Sequence, residues 1–200
     1  AALVVTPYYN KPSQSGLEAH YAAVAAAADI PVLLYNVPGR TACDLLPETV
    51  ARLAMIDNIR GLKEAVPDPA RLRRLLELCP PDFCLLSGDD LSAREFMLGG
   101  GQGVVSVSAN IAPGLMAALS RAALAGHADE AAAIDETLRG LHAALFLEGN
   151  PIPVKWGVAQ MGLIGPTLRL PLTELASAHQ PAVIAAMAAA GVDVPVRGGA

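Results

Sequence analysis

Short apolar runs alternate with helical patterns along the first half of this chain, and this alternation restricts the fold more than any other feature. Five such runs recur every 20 to 30 residues, at 1–5, 31–35, 59–65, 83–87 and 104–107. This spacing predicts βα units built around a parallel sheet. The predicted class is α/β, with two architectures open: a doubly wound sheet or a partial (β/α)8 TIM barrel with about five parallel strands. The near-regular spacing favours the barrel.

The second half of the chain has only helical patterns. Helices are predicted near 113–125, 128–147, 152–162 and 178–190, and Gly126 marks a boundary after the first of them. That first helix can pack as the last helix of the barrel. We therefore predict a partial barrel catalytic domain over 1–126 and a C-terminal helical domain over 127–200, with fraying of 195–200.

Composition argues against several classes of protein. Hydrophobic residues make up 53% of the chain, yet no apolar run reaches the roughly 18 residues of a membrane-spanning helix. The net charge is -5 without a basic cluster, so nucleic acid is not an expected partner. No secretory signal is visible, and three cysteines without metal-ligand or disulfide spacing fit a reducing compartment. These features predict a cytoplasmic protein with no membrane contact.

Lys63 is one of only three lysines in the chain, and it lies near the end of the predicted strand 59–65. Burying a lysine is costly unless it finds a partner or loses its charge. Desolvation lowers the pKa of the amine, and the neutral amine can form a Schiff base with a carbonyl substrate. The alternative is a structural ion pair with Glu64 or another carboxylate at the strand end.

Three more side chains are predicted at the same edge of the sheet: Tyr9, Tyr35 and Arg40. A tyrosine hydroxyl can relay protons, and a guanidinium can bind a substrate carboxylate through two hydrogen bonds. Pro38-Gly39 suits a type II turn with glycine at positive φ. Packing or solvation could explain each residue singly, but their shared location with Lys63 favours an active site.

Two further motifs have competing interpretations. The glycine-rich segment 99–103 precedes a strand and lacks a P-loop lysine, so close backbone packing is favoured over phosphate binding. Asp89 and Asp90 could contribute to a metal site, but capping of the next helix by Asp90 is favoured. No metal site is predicted.

Several motifs together resemble the dihydrodipicolinate synthase family. They are VTPYYNKPSQ at 5–14, LYNVPGRT at 34–41, GLKEA at 61–65, LSGDD at 86–90, GVVSV at 103–107 and NPIPVK at 150–155. The turn at 38–40 separates this pattern from the sister N-acetylneuraminate lyases, whose corresponding loop lacks the arginine. The resemblance implies a TIM-barrel lyase of the class I aldolase type in the diaminopimelate–lysine pathway. Such an enzyme condenses pyruvate with L-aspartate-4-semialdehyde.

The resemblance also implies roles for individual residues. Lys63 would form the imine with pyruvate, and Tyr35 would donate and accept protons beside it. Arg40 would bind the semialdehyde carboxylate. Gly88 and Val105 match positions of the pyruvate pocket. No cofactor or metal would be needed, because the covalent imine of Lys63 with pyruvate provides the electron sink.

Two neighbouring tyrosines are implicated in assembly and regulation by the same resemblance. Tyr9 matches a relay tyrosine that reaches into the site of a neighbouring subunit, which implies a homo-oligomer, a tetramer in the family. Tyr8 matches a residue lining the allosteric lysine site.

The matching motifs begin after the first part of the family pattern. Family members start with about three further βα units, which carry the paired threonines of the proton relay. We therefore expect this sequence to correspond to the carboxyl-terminal two thirds of such an enzyme, and a chain limited to it to be a poor catalyst. Two alternatives stay open: another pyruvate-dependent class I aldolase, such as an N-acetylneuraminate lyase relative, or an inactive half-barrel fragment.

Overall fold

A computed structural model describes residues 1–194, and the chain divides into two compact units between residues 105 and 106. The predicted domain boundary at residue 126 stays a prediction. The predicted fraying of 195–200 lies outside the described residues.

Residues 1–105 form a parallel sheet with helical connections. The strands are β1 (Ala2–Val5), β2 (Val32–Asn36), β3 (Ile59–Glu64), β4 (Cys84–Ser87) and β5 (Gly103–Val104). All four pairings are parallel, and the strand order is β1-β2-β3-β4-β5. A doubly wound sheet reverses its strand order at a switch point, whereas a βα barrel adds each strand beside the preceding one. The sequential order therefore favours the partial barrel over the doubly wound alternative.

The helices of this unit begin at residues that the sequence marks as starts. They are α1 (Gln14–Ala26), α2 (Pro38–Thr41), α3 (Pro47–Leu53), α4 (Pro69–Leu78) and α5 (Ala93–Leu98). Ser13 Oγ accepts a hydrogen bond from Gly16 N at 3.2 Å and caps α1. Asp68 Oδ1 accepts one from Ala70 N at 2.9 Å and caps α4, with Pro69 in the first turn.

Two connections differ in detail from the expectations. At the start of α5 the Asp89 carboxylate accepts hydrogen bonds from Ser92 N at 3.0 Å and Ser92 Oγ at 2.7 Å, while Asp90 O accepts one from Ala93 N at 3.4 Å. The chain turns between the strand and the helix so that the earlier carboxylate reaches the two Ser92 donors. Capping of α5 by the Asp90 side chain stays a prediction. Gly39 lies inside the short helix α2 rather than in a type II turn, and the residue with positive φ is Ala42, at 54°.

The hydrophobic core lies between the helices and one face of the sheet. It includes Leu17 and Tyr21 from α1, Leu34 from β2, Leu62 from β3 and Leu75 from α4. Successive strand residues point to opposite faces. Tyr35 and Lys63 follow buried core leucines, so both side chains point to the face away from the helices.

The glycine-rich segment 99–103 packs closely, as the sequence analysis favoured. A Cβ added to Gly101 would clash with the ring and the backbone oxygen of Phe96. Gly100 and Gly103 have φ values of 109° and 158°. A side chain at residue 100 or 101 would therefore strain the connection into β5.

Residues 106–194 are helical, in agreement with the four predicted helices. They form α6 (Pro113–Leu124), α7 (Ala128–Ala144), α8 (Ile152–Gln160) and α9 (Gln180–Ala189), after a 3-10 turn at Ser108–Asn110. Ser108 Oγ and His142 Nδ1 lie 2.7 Å apart in a buried hydrogen bond that ties this turn to α7. Within the described part of the chain, no helix has both the length and the apolar character needed to cross a membrane.

Candidate active site

Tyr35 and Lys63 lie side by side near the carboxyl ends of two adjacent strands. The register of β2 and β3 pairs them directly. Lys63 Nζ lies 4.1 Å from the centroid of the Tyr35 ring. The structure therefore brings an amine and a phenol together on the sheet face opposite the core that α1 and α4 cover.

The environment of Lys63 favours its neutral form. Burial lowers the pKa of the amine from 10.5, the Asp90 carboxylate opposes this shift, and the positive charge of Arg40 adds to it. A lowered pKa leaves more unprotonated amine near neutral pH, which is the nucleophile that imine formation requires.

The alternative ion pair of Lys63 with Glu64 is wrong. Glu64 points to the opposite face of β3, where its Oε2 accepts a hydrogen bond from Arg71 Nε at 2.7 Å. The alternation of side chains along a strand separates these two sequence neighbours. Lys63 therefore lies beside Tyr35, and the carboxylate of Glu64 pairs with Arg71.

Tyr35 is suited to hold a proton at neutral pH. Burial raises the pKa of its hydroxyl from 10.0, and the nearby Arg40 charge partly opposes the shift. A protonated phenol beside an amine can donate a proton to a leaving oxygen and later recover it.

Arg40 lies on an exposed turn that hydrogen bonds hold in place. Thr6 Oγ1 donates to Thr41 Oγ1 at 3.2 Å, and Thr41 Oγ1 donates to Cys43 O at 2.9 Å. Gln14 Nε2 donates to Asp44 O at 2.7 Å. These contacts fix the backbone on the carboxyl-terminal side of Arg40, close enough to the site for its charge to act on both Lys63 and Tyr35.

Gly88 and Val105 lie at the carboxyl ends of β4 and β5. Gly88 N donates to Glu64 O at 2.7 Å, and Val105 N donates to Ser87 O at 2.9 Å. A Cβ added to Gly88 would lie 2.9 Å from Lys63 Cε and 3.0 Å from Ala65 Cβ. The absence of a side chain at residue 88 thus makes room for the lysine stem.

Tyr8 and Tyr9 project from the loop after β1. Their exposed fractions are 70% and 91%. Tyr9 has a φ of 68° and Lys11 a φ of 45°, a conformation uncommon for residues with side chains. The structure does not pack Tyr9 beside Lys63, so a role at a second subunit stays a prediction.

Sequence reasoning missed a polar cluster behind the site, formed by Asn36, Asp44, Glu64 and Arg71 and named here the Arg71 cluster. Asn36 Nδ2 donates to Asp44 Oδ1 at 2.9 Å and to Glu64 Oε1 at 3.0 Å. Arg71 donates to both oxygens of Asp44, at 2.9 and 3.1 Å. Asn36 and Glu64 are polar residues at the ends of apolar runs, which the sequence alone shows. Nothing in the sequence indicated that residues 44 and 71 pair.

Other features of the described residues do not coincide with this site. A groove of about 190 Å³ between α4 and α5 is lined by apolar residues that include Pro67, Leu72 and Phe96. No group of three or more His, Cys, Asp or Glu side chains within 1–194 could hold a metal ion. The expectation that no cofactor is needed stays a prediction.

Comparison with known proteins gives a consistent result. The family model for the dihydrodipicolinate synthetase family matches residues 1–190. A 4-hydroxy-tetrahydrodipicolinate synthase from Shewanella sp. (strain ANA-3) is 58% identical over 195 residues, which are 97% of this chain and 66% of that protein. The chain thus spans about two thirds of the length of the curated relatives that it matches.

Solved structures agree in fold. The crystal structure of the chloride-inhibited dihydrodipicolinate synthase from Acinetobacter baumannii, complexed with pyruvate, matches with a TM-score of 0.93 and 46% identity over 96% of this chain and 66% of that one. Dihydrodipicolinate synthase from Aquifex aeolicus matches with a TM-score of 0.94 and 37% identity, over 97% and 67%. The predicted partial TIM-barrel class is confirmed. On its sequence, its fold and its half-buried strand-end lysine, this chain belongs to the dihydrodipicolinate synthetase family.

Proposed function

We propose that this chain carries the imine-forming site of a 4-hydroxy-tetrahydrodipicolinate synthase, a lyase of the class I aldolase type. The substrates are pyruvate and L-aspartate-4-semialdehyde, and the product feeds diaminopimelate and lysine biosynthesis. The observation that carries the proposal is the placement of Lys63 Nζ 4.1 Å from the Tyr35 ring, with burial lowering the pKa of the amine. Relatives at 58% identity with this enzyme name, and a similar protein crystallised with pyruvate, support the choice of substrates.

The reaction begins with attack of the neutral Lys63 amine on the ketone carbon of pyruvate. The carbinolamine loses its oxygen as water, and the resulting imine is protonated and withdraws electrons from the adjacent methyl group. Loss of one methyl proton gives an enamine. No separate cofactor is needed in this scheme, because the imine nitrogen accepts the electron pair.

The enamine carbon then forms a bond to the aldehyde carbon of the semialdehyde, and the aldehyde oxygen gains a proton and becomes a hydroxyl. The amine of the semialdehyde attacks the imine carbon, which closes the ring and releases Lys63. One water leaves in total, from the pyruvate ketone. Tyr35 supplies and recovers protons in these steps, since its raised pKa keeps the phenol protonated between them.

Arg40 provides the recognition element for the second substrate. Pyruvate and the semialdehyde both carry a carboxylate, and Arg40 lies on the exposed turn at the site entrance. A guanidinium fork binds a carboxylate through two parallel hydrogen bonds. We assign it to the semialdehyde, while Gly88 and Val105 border the pyruvate position.

Assembly with a second copy completes the site in this proposal. Tyr9 is 91% exposed on a loop at the carboxyl end of the sheet, where it is available to a neighbouring subunit. The protein would then be a homo-oligomer, a tetramer by analogy with the family, in the cytoplasm. The neighbouring Tyr8, 70% exposed, is the candidate for lysine feedback.

A product assay on the natural full-length protein tests the function. Pyruvate with L-aspartate-4-semialdehyde should give the cyclic product, and pyruvate with N-acetylmannosamine should give no N-acetylneuraminate. Formation of N-acetylneuraminate without the cyclic product would favour the lyase relative. A failure of pyruvate plus borohydride to label any lysine would exclude both.

Replacing Arg40 with alanine should separate the two substrates. Because only the semialdehyde carboxylate is assigned to the guanidinium, its KM should rise by the equivalent of roughly 1.5–3 kcal/mol, or about ten- to a hundredfold. The KM for pyruvate should change less than threefold or so by the same argument. Steady-state kinetics with each substrate varied in turn checks this, and equal losses for both substrates would contradict the division of roles.

Replacing Gly88 with alanine should disturb Lys63 directly. The added methyl carbon would lie 2.9 Å from Lys63 Cε, so the lysine stem must move away from its present position. Overpacking of this kind costs about 1–3 kcal/mol, so the rate of borohydride-trapped adduct formation with pyruvate should fall roughly tenfold or more. Mass spectrometry of the reduced adduct measures it.

The matched control for this change is Gly140→Ala. Gly140 lies within α7, and an added Cβ there would have no neighbour within 4 Å. Adduct formation should be unchanged, with stability gained by roughly 0.5–1 kcal/mol from the helix interior. Equal adduct rates in the Gly88 and Gly140 variants would show that residue 88 does not confine the lysine.

A further inference from the structure

The Arg71 cluster lies directly behind the candidate active site, on the helix-facing side of the sheet. Asn36 follows Tyr35 in β2, and Glu64 follows Lys63 in β3. Because neighbours on a strand point to opposite faces, each cluster residue shares its backbone with a site residue on the other side. A shift of the cluster side chains is therefore transmitted to the strand ends that carry Tyr35 and Lys63.

Besides the ends of β2 and β3, the cluster is attached to the loop that follows Arg40. Asp44 and Leu45 lie in the connection between α2, which contains Arg40, and α3. Leu45 N donates to Asn36 Oδ1 at 3.0 Å, and Leu45 O accepts a hydrogen bond from Arg71. Asp44 accepts hydrogen bonds from Asn36 and Arg71. The side chain of Asp44 and the backbone of Leu45 are thus bonded to Asn36, at the end of β2, and to Arg71.

Arg71 joins the end of β3 to the loop that follows Arg40. Its Nε donates to Glu64 at 2.7 Å, while Nη1 and Nη2 donate to the two oxygens of Asp44 at 3.1 and 2.9 Å. The side chains of Arg71 and Glu64 are only 10% and 1% exposed, so the charge-assisted bond between these two side chains is shielded from solvent. A guanidinium can serve both carboxylates at once because its five donors are fixed in one plane.

We propose that Arg71 is a positioning residue: its guanidinium ties the end of β3 to the loop that follows Arg40, beside the bonds that Asn36 makes from the end of β2, and so helps to hold Arg40 in place relative to Lys63 and Tyr35. This inference rests on the proposed function, because it assigns to Arg71 an effect on the second substrate. The strand ends are also held by the backbone hydrogen bonds of the sheet, whereas the loop after Arg40 is joined to them by bonds of the Asn36 and Arg71 side chains. Loss of the hydrogen bonds of Arg71 should therefore affect the position of Arg40 more than that of Lys63.

The test compares Arg71→Lys with the natural full-length protein. Lysine keeps the positive charge beside Glu64 but cannot span both carboxylates, so the loop after Arg40 loses its bonds to the guanidinium and keeps those to Asn36. The KM for the semialdehyde should rise about tenfold, since a displacement near 1 Å of a binding group has effects of this size or larger. The rate of borohydride trapping with pyruvate should stay within about twofold of the rate of the natural protein, because the backbone hydrogen bonds that hold the strand of Lys63 are intact.

Two controls separate positioning from general loss of structure. Arg74→Lys changes an arginine three residues further along α4, whose Nε binds the exposed Glu48 at 3.1 Å, and it should alter neither parameter. Asp44→Asn is the second test, for the case that Arg71→Lys folds poorly. It removes the charge of one of the two carboxylates that Arg71 binds, at a side chain that is 39% exposed, and it should raise the semialdehyde KM about threefold. Parallel losses of turnover, trapping and Tm in the Arg71 variant would reduce the residue to a structural role and overturn the proposal.

A double-variant cycle gives the sharpest outcome. If Arg71 acts through Arg40, adding Arg71→Lys to Arg40→Ala should leave the semialdehyde KM within about twofold of the Arg40→Ala value. If the rise in the semialdehyde KM of the double variant is instead the product of the rises in the two single variants, Arg71 acts independently of Arg40 and the proposal fails. If the protein traps pyruvate at Lys63 but does not consume the semialdehyde, the proposed function fails and this inference fails with it. Consumption without a KM change in Arg71→Lys overturns this inference alone.

Discussion

Replacing Lys63 with alanine is expected to eliminate the reduced pyruvate adduct and to lower turnover by about four orders of magnitude or more, as removal of a covalent nucleophile does elsewhere. Lys63 Nζ is the amine that lies against Tyr35, and burial lowers its pKa. A water molecule in the vacated space cannot form the imine that activates the methyl group of pyruvate. Mass spectrometry of the borohydride-treated protein and a coupled turnover assay measure the two effects.

The matched control is Lys155→Ala, which removes another of the three lysines. Lys155 lies in α8, in the unit formed by residues 106–194, and has no role in the proposed chemistry. Its variant should keep both the adduct and the turnover. An adduct that persists in Lys63→Ala and disappears in Lys155→Ala would overturn the assignment of the nucleophile.

The pH dependence of adduct formation follows from the same electrostatics. Because the pKa of Lys63 is lowered, the trapping rate should reach half its maximum at a pH below 10.5. Arg40 contributes to the lowering, so Arg40→Ala should move that midpoint to higher pH. Asp90 acts in the opposite direction, so Asp90→Asn should move it to lower pH.

The arrangement of Lys63 and Tyr35 could be predicted from the sequence because local rules determine it. Both residues stand near the end of an apolar run, and parallel strands place those ends at one edge of the sheet. The starts of α1 and α4 follow from local chemistry as well, since Ser13 and Asp68 cap the nearest backbone N–H groups. Each of these features follows from a local sequence pattern, combined for Tyr35 and Lys63 with the rule that parallel strands end at one edge of the sheet.

The Arg71 cluster could not be predicted because contacts between the side chains of a loop and a helix follow no general rule of the kind that aligns parallel strands. Arg71 and Asp44 are 27 residues apart, and the pairing depends on how the loop after α2 folds back against α4. The spacing of the sequence did not single out Asp89 as the carboxylate that contacts Ser92. Gly39 suggested a turn with positive φ, but the chain used Ala42 for that conformation.

Replacing Tyr35 with phenylalanine is expected to lower turnover by about 10²- to 10⁴-fold while leaving the fold and the pyruvate adduct in place. The ring stays, so the packing of Lys63 Nζ against the aromatic face, 4.1 Å from the ring centroid in the native protein, is retained. Only the hydroxyl is lost, and with it the group assigned to move protons between the imine, the enamine and the aldehyde oxygen. The KM for each substrate should change little, because neither carboxylate is assigned to Tyr35.

A matched tyrosine tests whether the loss comes from chemistry or from stability. Tyr21 is fully buried in α1, and its hydroxyl donates to Val4 O at 3.1 Å, so Tyr21→Phe removes one structural hydrogen bond. That variant should lose about 1 kcal/mol of unfolding free energy and keep its turnover. Tyr35→Phe should show the reverse, a nearly unchanged unfolding curve with a large loss of kcat. Chemical denaturation and single-turnover kinetics on both variants decide the matter: unchanged turnover in a folded Tyr35→Phe protein would reduce this residue to packing and would require another proton carrier beside Lys63.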